Sequence, residues 1–204
     1  MTTERTSMEP MLIGPMAAQG DDVVLVDDQA RPIGRRKRLA VHGADTPRHL
    51  AFSSWISDPY GRVLLTRRAL GKRAWPGVWT NSCCGHPRPG EPVEDAVLRR
   101  VNEELGVRVQ RLRSLLPEFS YRAVDPSGIV ENEFCPVYAA TLADPETLAP
   151  DADEVMDWVW TSPDEIRAAV RQAPYAFSPW AVGQLAQLGP DAFGAGPDGA
   201  VARC

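Results

Sequence analysis

The chain has 204 residues, 44% of them hydrophobic and 24% charged, proportions of an ordinary globular domain that can bury a core without disulfide staples. Lys and Arg total 22 against 27 Asp and Glu, a formal net charge of −5, which argues against the basic face that a general nucleic-acid binder presents to phosphates. No apolar run approaches the roughly 18 residues of a membrane span. In chain order, the first 20 residues hold two Pro and no periodicity and read as a loose arm. Val23 to Val26, ahead of Asp27-Asp28, reads as a short buried strand and a turn. Phe52 to Ser57 and Arg62 to Arg67, joined by Asp58-Pro59-Tyr60-Gly61, read as a hairpin. Glu91 to Leu105 is the strongest helix, with Val93, Ala96, Val97, Val101 and Leu105 near the 3.6-residue period and Gly106 as its stop. Ile129 to Leu142, rich in Val, Phe and Tyr, reads as one long strand, and Val155 to Trp160 as another. Ser162, Pro163 and Glu165 compose a capping box that opens a helix, and Ser178-Pro179-Trp180 repeats the cap-then-Pro signal for a last one. Four Gly and two Pro between Gly189 and Gly199 predict a poorly ordered tail. The expected organisation is therefore an arm over 1–20, one domain over 21–186 and a tail over 187–204, with no solenoid repeat. Strands first, helices interspersed and no regular βαβ alternation place the fold in the α+β class.

The chemistry-bearing residues concentrate between Gly85 and Val107. Gly85, Glu91, Arg99, Val101, Glu103, Glu104, Gly106 and Val107 keep the spacing of a loop-helix-loop in which helix carboxylates hold a divalent metal against a diphosphate, and so resemble the Nudix box. Oxygen ligands suit a hard cation such as Mg²⁺, commonly held by one or two carboxylates plus substrate phosphates. Glu91 and Arg99, eight residues apart, share one helix face. One position departs from the hydrolase pattern: Arg100 stands where Nudix hydrolases usually carry a ligand Glu, leaving the pyrophosphate-cleaving apparatus incomplete. Arg100 is spaced to pair with Glu104 at i+4 or to face a phosphate.

Only three histidines occur, His42, His49 and His86, and imidazole with carboxylate is a common transition-metal set. Glu131 and Glu133 lie two apart in strand composition, so their side chains leave the same face. Cys84 sits two residues from His86, and a thiol beside a metal or cations can be depressed in pKa and exchange protons readily. Cys83, Cys135 and Cys204 read as structural thiols. The adjacent Cys83-Cys84 pair is poorly placed to close on itself, and Met-Thr-Thr-Glu-Arg-Thr at the start lacks the basic region of a signal peptide. A reduced, cytoplasmic setting is expected.

These stretches together resemble type I isopentenyl-diphosphate Δ-isomerase, a non-hydrolytic branch of the Nudix superfamily. The resemblance is carried by His49–Trp55, Thr66–Leu70, Ala74–Ser82, Cys84–Pro87, Tyr121–Glu133, Asp153–Asp157 and Ala176–Trp180, and spans about residues 20 to 185. It implies a Nudix-like mixed β-sheet sandwiched by helices. It implies that isopentenyl diphosphate and dimethylallyl diphosphate are interconverted by protonation and deprotonation through a tertiary carbocation. His42, His49, His86, Glu131 and Glu133 would hold Mn²⁺ or Mg²⁺, and Glu104 with the Cys84 carbonyl a second ion, Mg²⁺, against the diphosphate. Cys84 and Glu133 would transfer protons on opposite faces of the alkene, with Tyr121 hydrogen-bonding Glu133 and Trp180 stacking over the cation. Arg38, where lysine is common, Arg68, Lys72 and Arg100 would bind the diphosphate, while Arg35, Arg36 and Lys37 read as solvated. Trp75, Trp79 and Phe177 are either cavity walls or core. The partner expected is this small substrate, with no nucleic acid and no membrane; the sequence leaves the oligomeric state open. The competing readings are a Nudix pyrophosphohydrolase and a catalytically silent diphosphate-binding module.

Overall fold

The computed structural model describes residues 21–143 and 148–193, so the expected arm over 1–20, Cys204 and the tail beyond Phe193 lie outside the described residues. The first strands are β1 (Asp22–Val26), β2 (Pro32–Lys37), β3 (His49–Leu50), β4 (Phe52–Ser57), β5 (Val63–Arg68), β6 (Trp79–Thr80) and β7 (Cys83–Gly85), with the single-turn helix α1 (Arg38–Val41) after β2. Helix α2 (Val93–Leu105) follows, then β8 (Val109–Leu116), β9 (Ser120–Val124), β10 (Val130–Phe134), β11 (Val137–Leu142), β12 (Val155–Thr161), α3 (Pro163–Gln172) and α4 (Pro179–Gln187). One sheet runs β2-β1-β3-β10-β9; the other runs β12-β5-β4-β11-β8, with β6 on β5 and β7 on β4.

Strand β4 explains the layering. Alternate residues face opposite sides of a strand, so Phe52 and Ile56 pack with Val97, Val101 and Leu105 of α2, while Trp55 packs with Ile166 of α3 and Trp180 and Leu185 of α4. The sheet is thus covered by helices on both faces, as expected. Each Val or Leu buried this way contributes about 1.5–3 kcal/mol. Helix α2 ends where Gly106 adopts φ 69°, and a Cβ there would also meet Ala149 O at 2.9 Å. In α3, Ser162 Oγ accepts from the Glu165 N–H while the Glu165 carboxylate accepts from the Ser162 N–H, closing the expected capping box.

Two expectations are corrected. The single strand over Ile129–Leu142 is two strands in different sheets, β10 and β11, because Pro136 at the crossing has no N–H to continue a ladder. The hairpin of β4 and β5 pairs only at Ser57–Val63; beyond it β4 pairs with β11 and β7, and β5 with β12 and β6. Beyond α4, Leu188 and Phe193 are buried, with the Phe193 ring centroid 5.3 Å from that of Trp55. Among the described residues no helix is long and apolar enough to cross a membrane.

Candidate active site

Sheet register assembles the site's centre. Glu133 on β10 lies opposite His49 on one side and Tyr121 on the other, so three residues distant in sequence form one row across three strands. The two-residue period puts Glu131 on the same face. A bridge between Gly43 and Val130 brings the neighbouring His42 to Glu131, with Nε2 and Oε2 2.9 Å apart. His86 arrives from the other sheet at the end of β7, its Nε2 3.1 Å from Glu133 Oε1 and 3.2 Å from His49 Nε2.

Four of these residues, His42, His49, His86 and Glu133, form a group that could hold a cation, with Glu131 beside it on His42. His49 Nδ1–H donates to Pro47 O at 2.9 Å, which fixes the tautomer that turns the Nε2 lone pair inward. His42 Nε2 and Glu131 Oε2 are buried without a hydrogen-bond partner among the described residues. Ligand atoms of His42, His49, His86 and Glu133 lie within 4.8 Å of one another. Nitrogen donors facing each other around carboxylates suit a divalent metal rather than a hydrogen-bond network. Burial pushes His86 down to about 4 despite Glu133. Burial opposes charging Glu133 too, but the neighbouring imidazoles of His49 and His86 hold it well below the usual carboxylate range. Tyr121 O–H donates to Glu133 Oε2 at 2.9 Å, and burial next to that carboxylate pushes the phenol well up.

A cavity of about 370 Å³ opens beside this cluster, and Cys84, Glu133, Tyr121, Glu104 and Trp180 all line it. Its volume suits a small ligand. Cys84 lies opposite Ser53 in the β4–β7 register. Burial pushes its thiol up to about 11, although bonds with Ser53 and Asn81 pull the other way. The Trp180 ring is 5.4 Å from that of Tyr121. Glu104, buried on α2, accepts from the Cys83 thiol at 3.2 Å, and that thiol also lies 3.8 Å from the Cys84 carbonyl oxygen. Burial raises the Glu104 pKa against the pull of Arg100.

Arg38, Arg68, Lys72 and Arg100 also line the cavity, and each already has a partner. Arg38 pairs with Asp21 at 2.7 Å and Lys72 with Glu154. Arg100 pairs with Glu104, as its i+4 spacing allowed, and with Glu154 at 3.1 Å. Arg68 is held by backbone carbonyls. It donates to Ala74 O at 2.8 Å and Trp75 O at 3.1 Å, with its guanidinium 5.4 Å from the Trp180 ring. Those bonds, with the Trp75 N–H donating to Asp125 at 3.2 Å, hold Trp75 at φ 52°, a left-handed geometry that costs a bulky residue about 1–3 kcal/mol. Trp75, Trp79 and Phe177 pack within the core and are not among the lining residues. On α2, Arg99 pairs with Glu91 at 2.7 Å and donates to His86 O at 3.3 Å, tying the helix to the histidine loop. Arg35 and Lys37 lie on exposed β2 and pair with Asp22. Sequence reading missed Glu154, within the Asp153–Asp157 stretch, whose charge two strands' length from any cation gave no sign that it would pair with both Lys72 and Arg100. It also missed Asn81 and Ser53.

A NUDIX domain family model matches residues 47–181. An isopentenyl-diphosphate Delta-isomerase from Frankia alni is 54% identical over 183 residues, covering 89% of this chain and 93% of that protein. The chain belongs to this isomerase family of NUDIX proteins. Isopentenyl-diphosphate Delta-isomerases from Cutibacterium acnes and Klebsiella pneumoniae are 53% and 52% identical, covering 84% and 80% of the chain and 88% of each relative. Among solved structures, DR0079 from Deinococcus radiodurans gives a TM-score of 0.63 at 21% identity, covering 82% of this chain and 98% of that one. That likeness shows the fold, a mixed α+β NUDIX arrangement.

Proposed function

We infer that this chain converts isopentenyl diphosphate to dimethylallyl diphosphate, an isomerisation belonging to isoprenoid biosynthesis. The observation that carries the reading is the common cavity of Cys84, Glu133, Tyr121 and Trp180 beside a His/Glu cluster. Protonating the alkene makes a tertiary carbocation, and loss of a proton from the neighbouring carbon gives the isomer. Cys84 and Glu133 are the proton-transfer pair, since an acid and a base must both come within hydrogen-bond reach of one small substrate. Tyr121 fixes one Glu133 oxygen and the histidine side the other. Trp180 stabilises the cation; a desolvated cation–π contact is worth about 2 kcal/mol, roughly 30-fold in rate. That is too little to explain catalysis alone. A dry cavity matters as much, because water would trap the cation as an alcohol.

His42, His49, His86, Glu131 and Glu133 would hold Mn²⁺ or Mg²⁺, and Glu104 with the Cys84 carbonyl Mg²⁺. Such ions supply positive charge that anchors a diphosphate and fixes the carboxylate geometry. Arg38, Arg68, Lys72 and Arg100 would bind the diphosphate, and Arg68 also holds the 72–77 loop and the Trp180 face. Three unpaired thiols, Cys83, Cys84 and Cys135, support a reducing compartment, the cytoplasm.

The test is turnover of isopentenyl diphosphate in D₂O, with and without Mg²⁺ or Mn²⁺. Deuterated dimethylallyl product is expected, with Cys84→Ala and Glu133→Gln each lowering turnover by about 10³-fold or more in folded protein, and exhaustive chelation abolishing it. Near-normal rates in either variant would overturn the roles. Release of phosphate with the alkene unchanged would instead favour the pyrophosphohydrolase, and binding without deuterium uptake the silent module.

A further inference from the structure

Behind the cavity wall made by Cys84 and Trp180 lies a polar layer in which Ser53, Ser54, Asn81, Ser82, Ser178 and Gln184 are all fully buried. Buried amides persist where their groups are satisfied, and the bonds of Asn81 fix its orientation. Its Nδ2 donates to Ser54 O and Cys83 O, both at 3.0 Å, which uses both donors. Oδ1 therefore faces the opposite way, towards three donors: Thr80 Oγ1 at 2.9 Å, Trp180 Nε1 at 3.0 Å and Cys84 Sγ at 3.2 Å. Flipping the amide would set an oxygen against two carbonyls and an NH₂ against an indole N–H.

An amide oxygen has two lone pairs. The indole is a donor only, whereas the Thr80 hydroxyl has a second partner in Ser178 Oγ at 2.9 Å and the thiol one in Ser53 Oγ at 3.3 Å; with Thr80 donating to Ser178 and Ser53 donating to the sulfur, the two lone pairs serve the indole and the thiol. We propose that Asn81 is a positioning residue: its single carbonyl oxygen fixes the Cys84 sulfur and the Trp180 ring relative to each other, so that the proton-transfer group and the cation-stabilising ring move as one unit. Helix α4 reinforces the link. Gln184, one turn beyond Trp180 on the same face, donates to Ser53 Oγ at 2.8 Å, and that hydroxyl lies 3.3 Å from the Cys84 sulfur. Trp55 Nε1 in turn donates to Gln184 Oε1 at 2.9 Å. Helix α4 thus reaches the thiol twice, through Trp180–Asn81 and through Gln184–Ser53, while the cations proposed for the diphosphate sit on other elements.

This inference rests on the isomerase reading, and the experiment separates the two. Misplacing a reacting group by about 1 Å costs on the order of 10²-fold, so Asn81→Ala is expected to lower kcat about 100-fold while KM stays within about threefold. The double variant Asn81→Ala/Trp180→Phe should be no more than about threefold slower than Asn81→Ala alone, because one oxygen serves both groups. Effects that multiply, or a loss seen only in KM, would overturn the proposal. The geometry has its own readout: iodoacetamide alkylation of Cys84, resolved by peptide mass spectrometry, should change at least about threefold in Trp180→Phe, which keeps a ring but removes the N–H. An unchanged alkylation rate overturns the coupling even if Asn81→Ala does not fold. Wild-type protein that fails to isomerise would sink the isomerase reading and leave the alkylation result standing.

Discussion

Gly85 tests how closely the histidine loop must approach α2. A Cβ on Gly85 would lie 2.9 Å from Arg100 Cγ and 3.1 Å from both Cε1 and Cζ of Phe52. Neither neighbour yields freely. Phe52 is fully buried against α2, and Arg100 is tied at its far end to Glu104, to Glu103 at 3.0 Å and to Glu154 at 3.1 Å. Overpacking of this kind costs about 1–3 kcal/mol, and for a chain of this size each kcal/mol moves Tm by about 2–4 °C. Gly85→Ala should therefore melt about 2–12 °C below wild type. The same shift pulls the Arg100 guanidinium back from the cavity it lines. A hydrogen bond between charged groups is worth about 1.5–3 kcal/mol, so loss of half that value toward the diphosphate should raise KM for isopentenyl diphosphate about 4- to 12-fold. Thermal melts and steady-state kinetics read both effects. Gly34→Ala, whose new Cβ meets only Leu25 Cδ1 at 3.8 Å, controls for loss of glycine itself. A Gly85→Ala protein that melts within about 1 °C of wild type and keeps its KM would refute the close-approach argument.

Glu154→Gln removes the charge that Lys72 and Arg100 share while keeping an acceptor in place. Inorganic pyrophosphate, measured by calorimetric titration, should then bind about tenfold more tightly, since it no longer competes with a fixed anion; weaker binding would show that Glu154 chiefly holds the two cations in position. Glu91 gives a pH prediction. Burial opposes its charge, but the bonds from Arg99 and the Arg88 N–H prevail and lower its pKa. A depressed folded-state pKa adds stability that is present above the unfolded value of about 4.3 and lost as pH falls through the folded one. Wild type should thus melt above Glu91→Gln at pH 7, with the gap closing below about pH 4; a gap that stays constant to pH 3 would refute the linkage.

What the sequence disclosed was mostly local. The period of α2, its Gly106 stop and the capping box of Ser162 and Glu165 depend on partners within a few residues, and they appear where expected, with α2 beginning at Val93. Strands were harder, because their partners are chosen elsewhere. Val109–Leu116 and Ser120–Val124 have few continuous apolar residues and escaped notice, yet β9 supplies Tyr121 and β8 borders β11. The break at Cys135-Pro136 was written in the proline, but hydrophobic content on both sides hid it.

The site divides along the same line. Types and spacings pointed to the histidines, Cys84, Glu104 and the two strand carboxylates because donor chemistry is carried by the residue itself, and the family resemblance supplied their grouping. How these residues are held is not carried that way. Asn81 accepts from Trp180, 99 positions away; Ser53 accepts from Gln184, 131 positions away; Glu154 joins Lys72 and Arg100 across 82 and 54. A buried amide or serine has the same composition whether it satisfies a turn or orients a catalytic thiol, and only the register of β4 with β7 and the docking of α4 decide between them. On the proposed reading, the first group of residues determines which reaction is possible and the second how accurately it is aligned, so substitutions in the second should act on kcat without removing any chemical group from the cavity.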